Sequence, residues 1–569
     1  MRFIQGLAFL VLASGLMTGQ TSTSNTNSAA DSPNVADEIK KLRDALAEQQ
    51  KQIAVQQQEI EKLRQKVGGI EQVSAAATTG ASPRLVNAGL SNTSLAVGNP
   101  SALPASDAPE DKPKDSPLSF RIGGTEFTPG GFVDFENIFR TTNTGNVTAT
   151  NFWAIPFSNT VAGHLTEFRS TGQYSRFNLK THAKYGEYDV TAFIEADFNG
   201  NDAANVFVTS NPHTNRLRHY WLDVRRDKWE VVGGQVWGLL TANRVGVGPN
   251  SADVFTTYNE DGNHQVGNNF TRAAQFRLIY HPSEAWSWAA GIENPQQFTG
   301  QGAEVLFPTA FNAALGTQFD AANNAGTPNV SPDILSKLAY DTDWSKRHFH
   351  FEVGGLFTAV KIADVPTVAG ATFQKHTKIG GGVEGGLSYD LMKGADGTFF
   401  RVVGNGLWGP GVGRYLIGMG PQAVVVPVSV SGGACSSAGN CDLAVSMVHA
   451  GNALVGAEFA PMPKSQFGLY YGGAYFQRNA FPDITSAAAT KPIIGFGGTN
   501  EAGPGIQNRA IQEGTIDWIQ TMWKNPQYGA LQLVTQASYV TRAPWFVPVG
   551  SPKNAHLFMT YVSLKYVLP

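Results

Sequence analysis

Residues 175–198 read SRFNLKTHAKYGEYDVTAFIEADF, two alternating runs of apolar and polar residues joined by a short polar connection. In the first run, Phe177 and Leu179 alternate with polar residues such as Arg176. A period of two is that of a β-strand, whose successive side chains point to opposite faces. Because soluble barrels fill their interior with apolar side chains, a charged inner face indicates a water-filled lumen and an apolar outer face that meets lipid. The stretch therefore predicts one hairpin of a membrane β-barrel.

The same rhythm recurs along the rest of the chain and predicts an all-β fold, a 16-stranded antiparallel transmembrane β-barrel over 118–569. The predicted strands lie near 121–139, 171–185, 188–198, 217–227, 229–239, 271–281, 286–293, 335–344, 348–361, 376–391, 398–408, 446–459, 465–477, 509–523, 529–542 and 555–567. Their connections are alternately tight and long. The tight turns are expected to face the periplasm, and the even strand number places both ends of the barrel on that side.

The composition excludes other classes of protein. Charged residues make up only 15% of the 569 residues, while there are 62 glycines and 11% aromatic residues. The mean hydropathy of -0.17 is low for a helical membrane protein, and no apolar run of about 20 residues follows the first 20 positions. A formal net charge of -3 without a basic stripe argues against nucleic acid as a partner.

The N-terminal segment before the barrel is expected to have four parts. Residues 1–20 resemble a secretory signal peptide and 21–38 form a flexible segment. Residues 39–70 carry an a/d heptad pattern that favours a self-associating α-helical coiled coil, with a solvated helix or disordered tail as the alternative. Residues 71–117 are rich in Ala, Ser and Pro and predict a disordered tether. The expected coiled-coil core consists of Ile39, Leu42, Leu46, Ile53, Ile60, Leu63, Val67 and Ile70. The heptads do not decide between dimer and trimer.

The two cysteines, Cys435 and Cys441, lie in a Gly/Ser-rich connection. In an exported protein a disulfide between them is favoured over two free thiols.

Three stretches carry a resemblance to a known family: FRIGGTEFTPGGFVDFENIFR at 120–140, the 175–198 stretch quoted above, and LRHYWLDVRRDKWEVVGGQVWGLL at 217–240. Together with the coil and its tether, they resemble the DcaP-like outer-membrane porins, which are related in fold to phosphate-type anion porins. The resemblance implies a homotrimer in the bacterial outer membrane, surrounded by lipid and lipopolysaccharide, with the coiled coil in the periplasm. It also implies passive uptake of small anionic solutes such as dicarboxylates. One departure is the C-terminus, where Tyr566 is followed by three residues, whereas porins usually end on an aromatic residue.

A porin selects solutes by the width and charge of its constriction. The connection 240–270, after the fifth strand, is where trimeric porins fold a loop inward. The candidate pore-lining residues on this loop and the neighbouring wall are Arg176, Lys180, Arg225, Arg244, Asp253, His264 and Arg277. We hypothesise that the arginines at 176, 225, 244 and 277 form a cationic path, because the guanidinium fork matches a carboxylate. The alternative is that they are ordinary hydrated lumen residues balanced by Glu195, Asp197 and Asp223.

No catalytic residue, cofactor or metal site is predicted. Gly404–Gly409 fits G-x-G-x-x-G, but it ends a strand and no helix follows. His348 and His350 share a strand face without nearby Cys, which favours a solvated pair over a metal site. The alternative to a porin is a structural or adhesive barrel whose coil links it to the cell envelope. A barrel-borne hydrolase would need a filled interior and a smaller barrel, so the strand count argues against it.

Overall fold

The computed structural model describes residues 116–146, 148–200, 214–300, 305–320, 331–363, 373–429, 435, 441–498, 506–547 and 549–569. The predicted signal peptide, flexible segment and coiled coil lie outside these residues, as does the tether except for its last two positions.

Twenty-two strands are present in the described residues. In chain order they are β1 (Phe120–Ile122), β2 (Thr125–Arg140), β3 (Glu167–Thr171), β4 (Arg176–Tyr185), β5 (Tyr188–Asp197), β6 (Arg216–Arg226), β7 (Trp229–Trp237), β8 (Arg272–Tyr280), β9 (Trp286–Glu293), β10 (Asp333–Trp344), β11 (Arg347–Ala363), β12 (Lys375–Lys393), β13 (Phe399–Pro410), β14 (Ala423–Ser429), β15 (Cys441–Met447), β16 (His449–Met462), β17 (Ser465–Phe476), β18 (Asn479–Pro482), β19 (Ile493–Phe496), β20 (Asn508–Asn525), β21 (Gly529–Pro544) and β22 (Ala555–Val567).

Sixteen of these strands form a closed antiparallel barrel: β2, β4 to β13, β16, β17, β20, β21 and β22. The ring closes where β2 pairs with β22, from Phe132 opposite Val567 to Arg140 opposite Met559. On its other edge β2 pairs first with β4 and then with β3. All sixteen predicted strands and the tight turns between them are confirmed.

The two faces of the strands also follow the prediction. Phe177 and Phe276 are 49% and 51% exposed on the outer surface, whereas Arg176 and Arg277 on the inner face are 1% and 3% exposed. Aromatic pairs lie near the tight turns, for example Trp229 with Tyr280 (ring centroids 4.6 Å apart). Such rings are typical of the boundary between lipid and water. The barrel therefore presents an apolar surface outward and a polar surface inward.

The long connections contain structure that the alternation did not predict. The hairpin of β14 and β15 lies within one connection and the hairpin of β18 and β19 within another. The described parts of the connections also contain four 3-10 turns (Phe152–Ala154, Ala162–His164, Thr309–Phe311 and Gly413–Tyr415) and one short helix, α1 (Asn312–Gly316). No helix in the described part of the chain is long and apolar enough to cross a membrane. The residues of these hairpins pack both on other connections and on barrel strands, as Val425 and Leu443 do in a cluster with Phe311 and with Val360 of β11. They therefore lack the regular alternation of a strand that has lipid on one side and the lumen on the other.

One apolar cluster joins several of these connections to the inner wall. It includes Phe152 and Trp153 from the connection between β2 and β3, Val266 from that between β7 and β8, and Tyr415 and Leu416 from that between β13 and β14. All five residues are less than 9% exposed. The interior of the barrel therefore has a packed protein component as well as polar walls.

Candidate functional site in the lumen

Residues 238–271, which connect β7 to β8, cross the interior of the barrel, and we call them the inward loop. Its backbone amides donate to side chains on distant wall strands: Leu239 N–H to Glu293 Oε1 of β9 (2.6 Å) and Val266 N–H to Glu513 Oε2 of β20 (2.7 Å). Because β9 and β20 lie in different parts of the ring, the loop spans the lumen. It is the segment expected to narrow the channel.

The far part of the inward loop is bound to β21 and β22. The amides of Glu260 and Asp261 both donate to Gln536 Oε1, at 2.6 and 3.1 Å. The Lys565 ammonium donates to Glu260 at 2.9 Å, and Tyr561 OH donates to Asp261 Oδ2 at 2.7 Å. These buried contacts fix both the height and the direction of the loop.

Arg244, one of the predicted pore-lining residues, is held in a buried ion pair. Its guanidinium donates to both carboxylate oxygens of Glu458 on β16, at 2.8 and 2.6 Å. Tyr470 OH donates to the same carboxylate at 2.8 Å. The charge of Arg244 is therefore neutralised, and the pair positions the loop against the wall.

Asp253, also on the inward loop, is half-buried. Its carbonyl oxygen accepts from the Arg244 N–H at 2.6 Å. Burial raises the pKa of its carboxyl group to about 6, with a smaller contribution from Asp341. The group is therefore close to its titration range near neutral pH.

A group of charged side chains on β4, β5, β6 and β8 forms what we call the basic cluster. Its members are Arg176, Glu195, Asp197, Arg216, Arg218 and Arg272. Arg216 donates to both oxygens of Asp197 at 3.0 and 2.6 Å, and Arg218 pairs with Glu195. Four guanidinium groups against two carboxylates leave a formal excess of two positive charges.

Arg176 is a fully buried member of the basic cluster. It is 1% exposed, and none of its three guanidinium nitrogens has a hydrogen-bond partner among the residues that the structure describes. Its guanidinium carbon lies 5.3 Å from the centre of the Phe132 ring. A buried cation without an acceptor is costly unless water or an anion satisfies it.

His264 lies on the inward loop beside the basic cluster. Its imidazole ring lies near the rings of Trp237 (centroids 6.0 Å apart) and Phe270 (5.2 Å). Neither ring nitrogen has a hydrogen-bond partner in the described residues. Burial and the positive charges of Arg218, Arg176 and Arg272 lower the pKa of His264 well below its ordinary value. This side chain is therefore a neutral one facing a positive wall.

A β-bulge brings Arg218 into the lumen. The pairing of β5 with β6 shifts register at Glu195 and Ala196, so both Arg218 and His219 are buried on the inner side. In a strictly alternating strand, two consecutive residues such as Arg218 and His219 face opposite sides of the wall. No local sequence signal marks the bulge, so Arg218 was not among the predicted pore-lining residues.

The structure does not bring the four predicted arginines together. Arg225 is exposed near the tight turn of β6 and β7, in register with Asp189 and Glu230. Arg277 donates to the carbonyl oxygens of Val247 and Trp237, so it supports the inward loop. Of the four arginines in the predicted path, only the one at position 176 lies in the basic cluster.

Lys180 lies four residues after Arg176 on β4, toward the tight turn that joins β4 to β5. It is exposed and shares the inward parity of Arg176 on β4. The lumen on that side is therefore accessible to water.

The wall next to the basic cluster, from β2 round to β20, carries buried carboxylates. Glu136 on β2 and Asp517 on β20 are fully buried, and none of their carboxylate oxygens has a hydrogen-bond donor among the described residues. Lys565 on β22 lies 3.7 Å from Asp134. Along the described wall, the basic cluster on β4 to β8 is therefore followed, across the pairing of β4 with β2, by carboxylates without donors on β2 and β20.

Two further features of the sequence have clear places in the structure. Cys435 and Cys441 are joined by a disulfide. In the described residues no group of three or more His, Cys, Asp or Glu side chains is arranged to hold a metal ion. His348 and His350 instead contact carboxylates and the inward loop.

Comparisons with known proteins agree with this architecture. No family model matches the sequence, and no curated protein matches it. Among solved structures, the outer membrane channel DcaP of Acinetobacter baumannii aligns over 79% of this chain and 100% of that one, at 15% identity and a TM-score of 0.51. The chain has the fold of an outer-membrane channel. The predicted resemblance is thereby confirmed at the level of the fold.

Two other porins align less closely. OprB of Pseudomonas putida aligns at a TM-score of 0.41 and 12% identity, over 77% of this chain and 94% of that one. The anion-selective porin from Comamonas acidovorans aligns at 0.40 and 11%, over 78% and 100%.

The close approach of the inward loop to β17 gives a testable prediction. A Cβ atom at Gly472 would overlap the carbonyl oxygen of Val266, whereas one at the adjacent, outward-facing Gly473 would have its nearest neighbours at 3.5 Å. We expect Gly472→Ala to destabilise the barrel by about 1–3 kcal/mol, as overpacking does. Gly473→Ala is the matched control and should be nearly neutral. Thermal unfolding of the two variants, followed by heat-modifiable gel mobility, measures the difference, and equal midpoints would contradict the contact.

Proposed function

We propose that this protein is a porin of the bacterial outer membrane, through which small hydrophilic, anionic solutes of the dicarboxylate type diffuse passively. The observation that carries the proposal is a closed barrel with an inward loop and, beside it, the buried guanidinium of Arg176, which has no hydrogen-bond partner among the described residues. The proposal assigns the chain no catalytic activity and no cofactor.

The preference for anions follows from the excess positive charge of the basic cluster. The guanidinium nitrogens of Arg176 are buried, so this residue acts on a passing carboxylate through its charge and not by direct contact. The desolvation cost of that buried guanidinium is part of the folded state and is not charged to the solute. Arg272 is only half-buried, so it can donate to a carboxylate of the solute directly.

The assembly proposed with this function is a homotrimer whose tight-turn side faces the periplasm. The coiled coil over 39–70 would lie in the periplasm, linked to the barrel by the tether over 71–117. Support comes from the heptad pattern and from the family resemblance of the sequence. Outer-membrane lipid and lipopolysaccharide would cover the apolar outer face.

Single-channel recording in a planar bilayer tests the function directly. We expect conductance in steps of three and, under a salt gradient, a reversal potential of the sign for anion preference. An absence of conductance by correctly folded protein would contradict the porin and favour the structural or adhesive alternative. Conductance with cation preference would support the porin function but contradict the proposed path of anions along the basic cluster.

A further inference from the structure

The first segment of the inward loop, residues 241–246, is bound to one part of the wall at four points. Lys337 Nζ donates to Thr241 O (2.9 Å), and the Asn243 N–H donates to Glu352 Oε1 (3.0 Å). His348 Nε2 lies 3.3 Å from Arg244 O, and the Gly246 N–H donates to Asp341 Oδ2 at 3.0 Å. All four wall side chains are on β10 and β11 and are ionisable.

These wall side chains are also bound to one another. Glu352 accepts from Lys337 at 2.9 Å through one oxygen and lies 3.1 Å from His350 Nε2 through the other. The Nδ1 atom of His350 lies 2.7 Å from Asp341 Oδ1. We call Lys337, Asp341, His348, His350 and Glu352 the loop anchor.

The geometry of His350 requires a particular protonation state. Both of its ring nitrogens face carboxylate oxygens, and the side chain is fully buried. A neutral imidazole has one N–H and one lone pair, so only the imidazolium can donate in both directions. Loss of the proton would leave a nitrogen lone pair directed at a carboxylate at hydrogen-bond distance.

His348, nearer to solvent, also has an oxygen acceptor at each of its two ring nitrogens. Its Nε2 faces the carbonyl oxygen of Arg244, and its Nδ1 lies 3.1 Å from Asp343 Oδ1. The side chain of His348 is 21% exposed and that of Asp343 is 73% exposed. Protons from the aqueous phase can therefore reach the loop anchor from the tight-turn side.

We propose that the loop anchor positions the constriction, and that its two histidines hold the first segment of the inward loop in place only while both are protonated. The inference rests on the proposed function, because it treats the inward loop as the selective part of a channel. In that role Lys337, His350 and Glu352 are positioning residues, since they act on the solute through the loop.

Charges on every neighbouring element bear on the two histidines. On β10 and β11 these charged groups are Lys337, Asp341, Asp343 and Glu352. On β12 they are Asp390 and Glu384, and Glu384 lies 3.8 Å from Lys337. On the inward loop they are Asp253 and Arg244, and Arg244 is paired with Glu458. Carboxylates outnumber cations around the imidazoles, so the surroundings favour the protonated forms. The positioned state is therefore present at lower pH and is lost as the pH rises.

The position of the loop can be measured without reference to conductance. Val245 lies between two anchored residues and its side chain is 42% exposed. The two native cysteines are joined in a disulfide, so Val245→Cys adds one reactive thiol for a nitroxide spin label. In the full-length protein we expect a largely immobile label at pH 6. Between pH 6 and about 10 the ratio of mobile to immobile label should rise about tenfold or more, the factor for losing one charge-assisted hydrogen bond.

Two further variants, each carrying Val245→Cys, decide the role of the histidines. His348→Gln with His350→Gln should give a mobile label at both pH values. His556→Gln is the matched control: His556 is stacked on Tyr539 on the outer face, and the pH response should be retained. An unchanged spectrum from pH 6 to 10, or a response that survives in the double variant, would overturn the proposal.

Conductance separates this inference from the proposed function. With the wild-type protein we expect the reversal potential to change over the same pH range as the spin-label spectrum. If the label responds to pH but no current is seen, the loop anchor stands and the porin function fails. If current is seen but the label does not respond, the porin stands and the loop anchor fails.

Discussion

Arg176→Gln is expected to reduce the preference for anions more than any other single neutral substitution in the lumen. The guanidinium of Arg176 is buried, has no hydrogen-bond partner in the described residues and belongs to a cluster with excess positive charge. At an effective dielectric constant near 20, a unit charge about 5 Å away contributes about 3 kcal/mol to an anion in the constriction. Screening by water and salt reduces this value, and we expect the anion-to-cation permeability ratio to fall about fivefold to tenfold.

The matched control is Lys180→Gln, which removes the same charge from the same strand. Lys180 faces the lumen four residues along β4 from Arg176 but is exposed to water. Charges in water are screened over about 8–10 Å at physiological salt, so the permeability ratio should change by less than about twofold. The measurement is the reversal potential under a fixed salt gradient for both variants.

A dicarboxylate gives the second readout for Arg176. We expect the current block by a small dicarboxylate to weaken in Arg176→Gln and to persist in Lys180→Gln, because the buried charge of Arg176 is screened less by water and salt than the exposed charge of Lys180. Equal shifts in the two variants would show that only the net charge of the lumen matters. An unchanged ratio in Arg176→Gln would reject the basic cluster as the path of anions.

The fold was readily predicted from the sequence because a lipid-facing barrel repeats one physical constraint in every strand. Each strand must place apolar side chains outward and polar ones inward, as Phe177 and Arg176 do on β4. The tight turns between strands give equally local signals. The two hairpins inside the long connections lacked both signals, since their residues pack on other protein segments and do not alternate between lipid and lumen.

The site was predicted only in part, because its key contacts are distant in sequence. Arg244 and Glu458 are separated by 214 positions, and no periodicity connects them. The bulge that turns Arg218 inward breaks the alternation on which the sequence argument relied. The inward loop could be located by its place after the fifth strand, but the partner of each loop residue depends on the path of the loop across the lumen.

The contact between Arg244 and Glu458 leads to the largest expected effect on stability. Glu458 is fully buried and accepts from Arg244 at 2.8 and 2.6 Å and from Tyr470 OH at 2.8 Å. Glu458→Ala would remove the charged partner of the Arg244 guanidinium, which would keep only its bond to Thr256 O among the contacts described, and the acceptor of the Tyr470 hydroxyl. Removing one partner of a buried pair costs about 3–5 kcal/mol, and we expect a corresponding fall in the free energy of unfolding.

Two comparisons separate the buried charge from the loss of side-chain volume and from surface electrostatics. Glu458→Gln keeps the shape and one acceptor oxygen, so it should cost less than Glu458→Ala. Glu126→Ala removes the partner of Arg121 in an ion pair whose arginine is 71% exposed, and such pairs contribute about 0–1 kcal/mol. Urea titration of each variant in detergent, followed by tryptophan fluorescence, gives the free energies.

Channel recordings of the same variants show whether the pair positions the inward loop. Arg244 N–H and its neighbour Val245 N–H both donate to Asp253 O, so displacement of Arg244 should disturb the adjoining turn of the loop as well. We therefore expect Glu458→Ala to raise the open-channel conductance and its fluctuations, because a displaced loop obstructs the lumen less and samples more positions. If Glu458→Ala lowers stability but leaves the conductance unchanged, the pair stabilises the barrel without setting the width of the constriction.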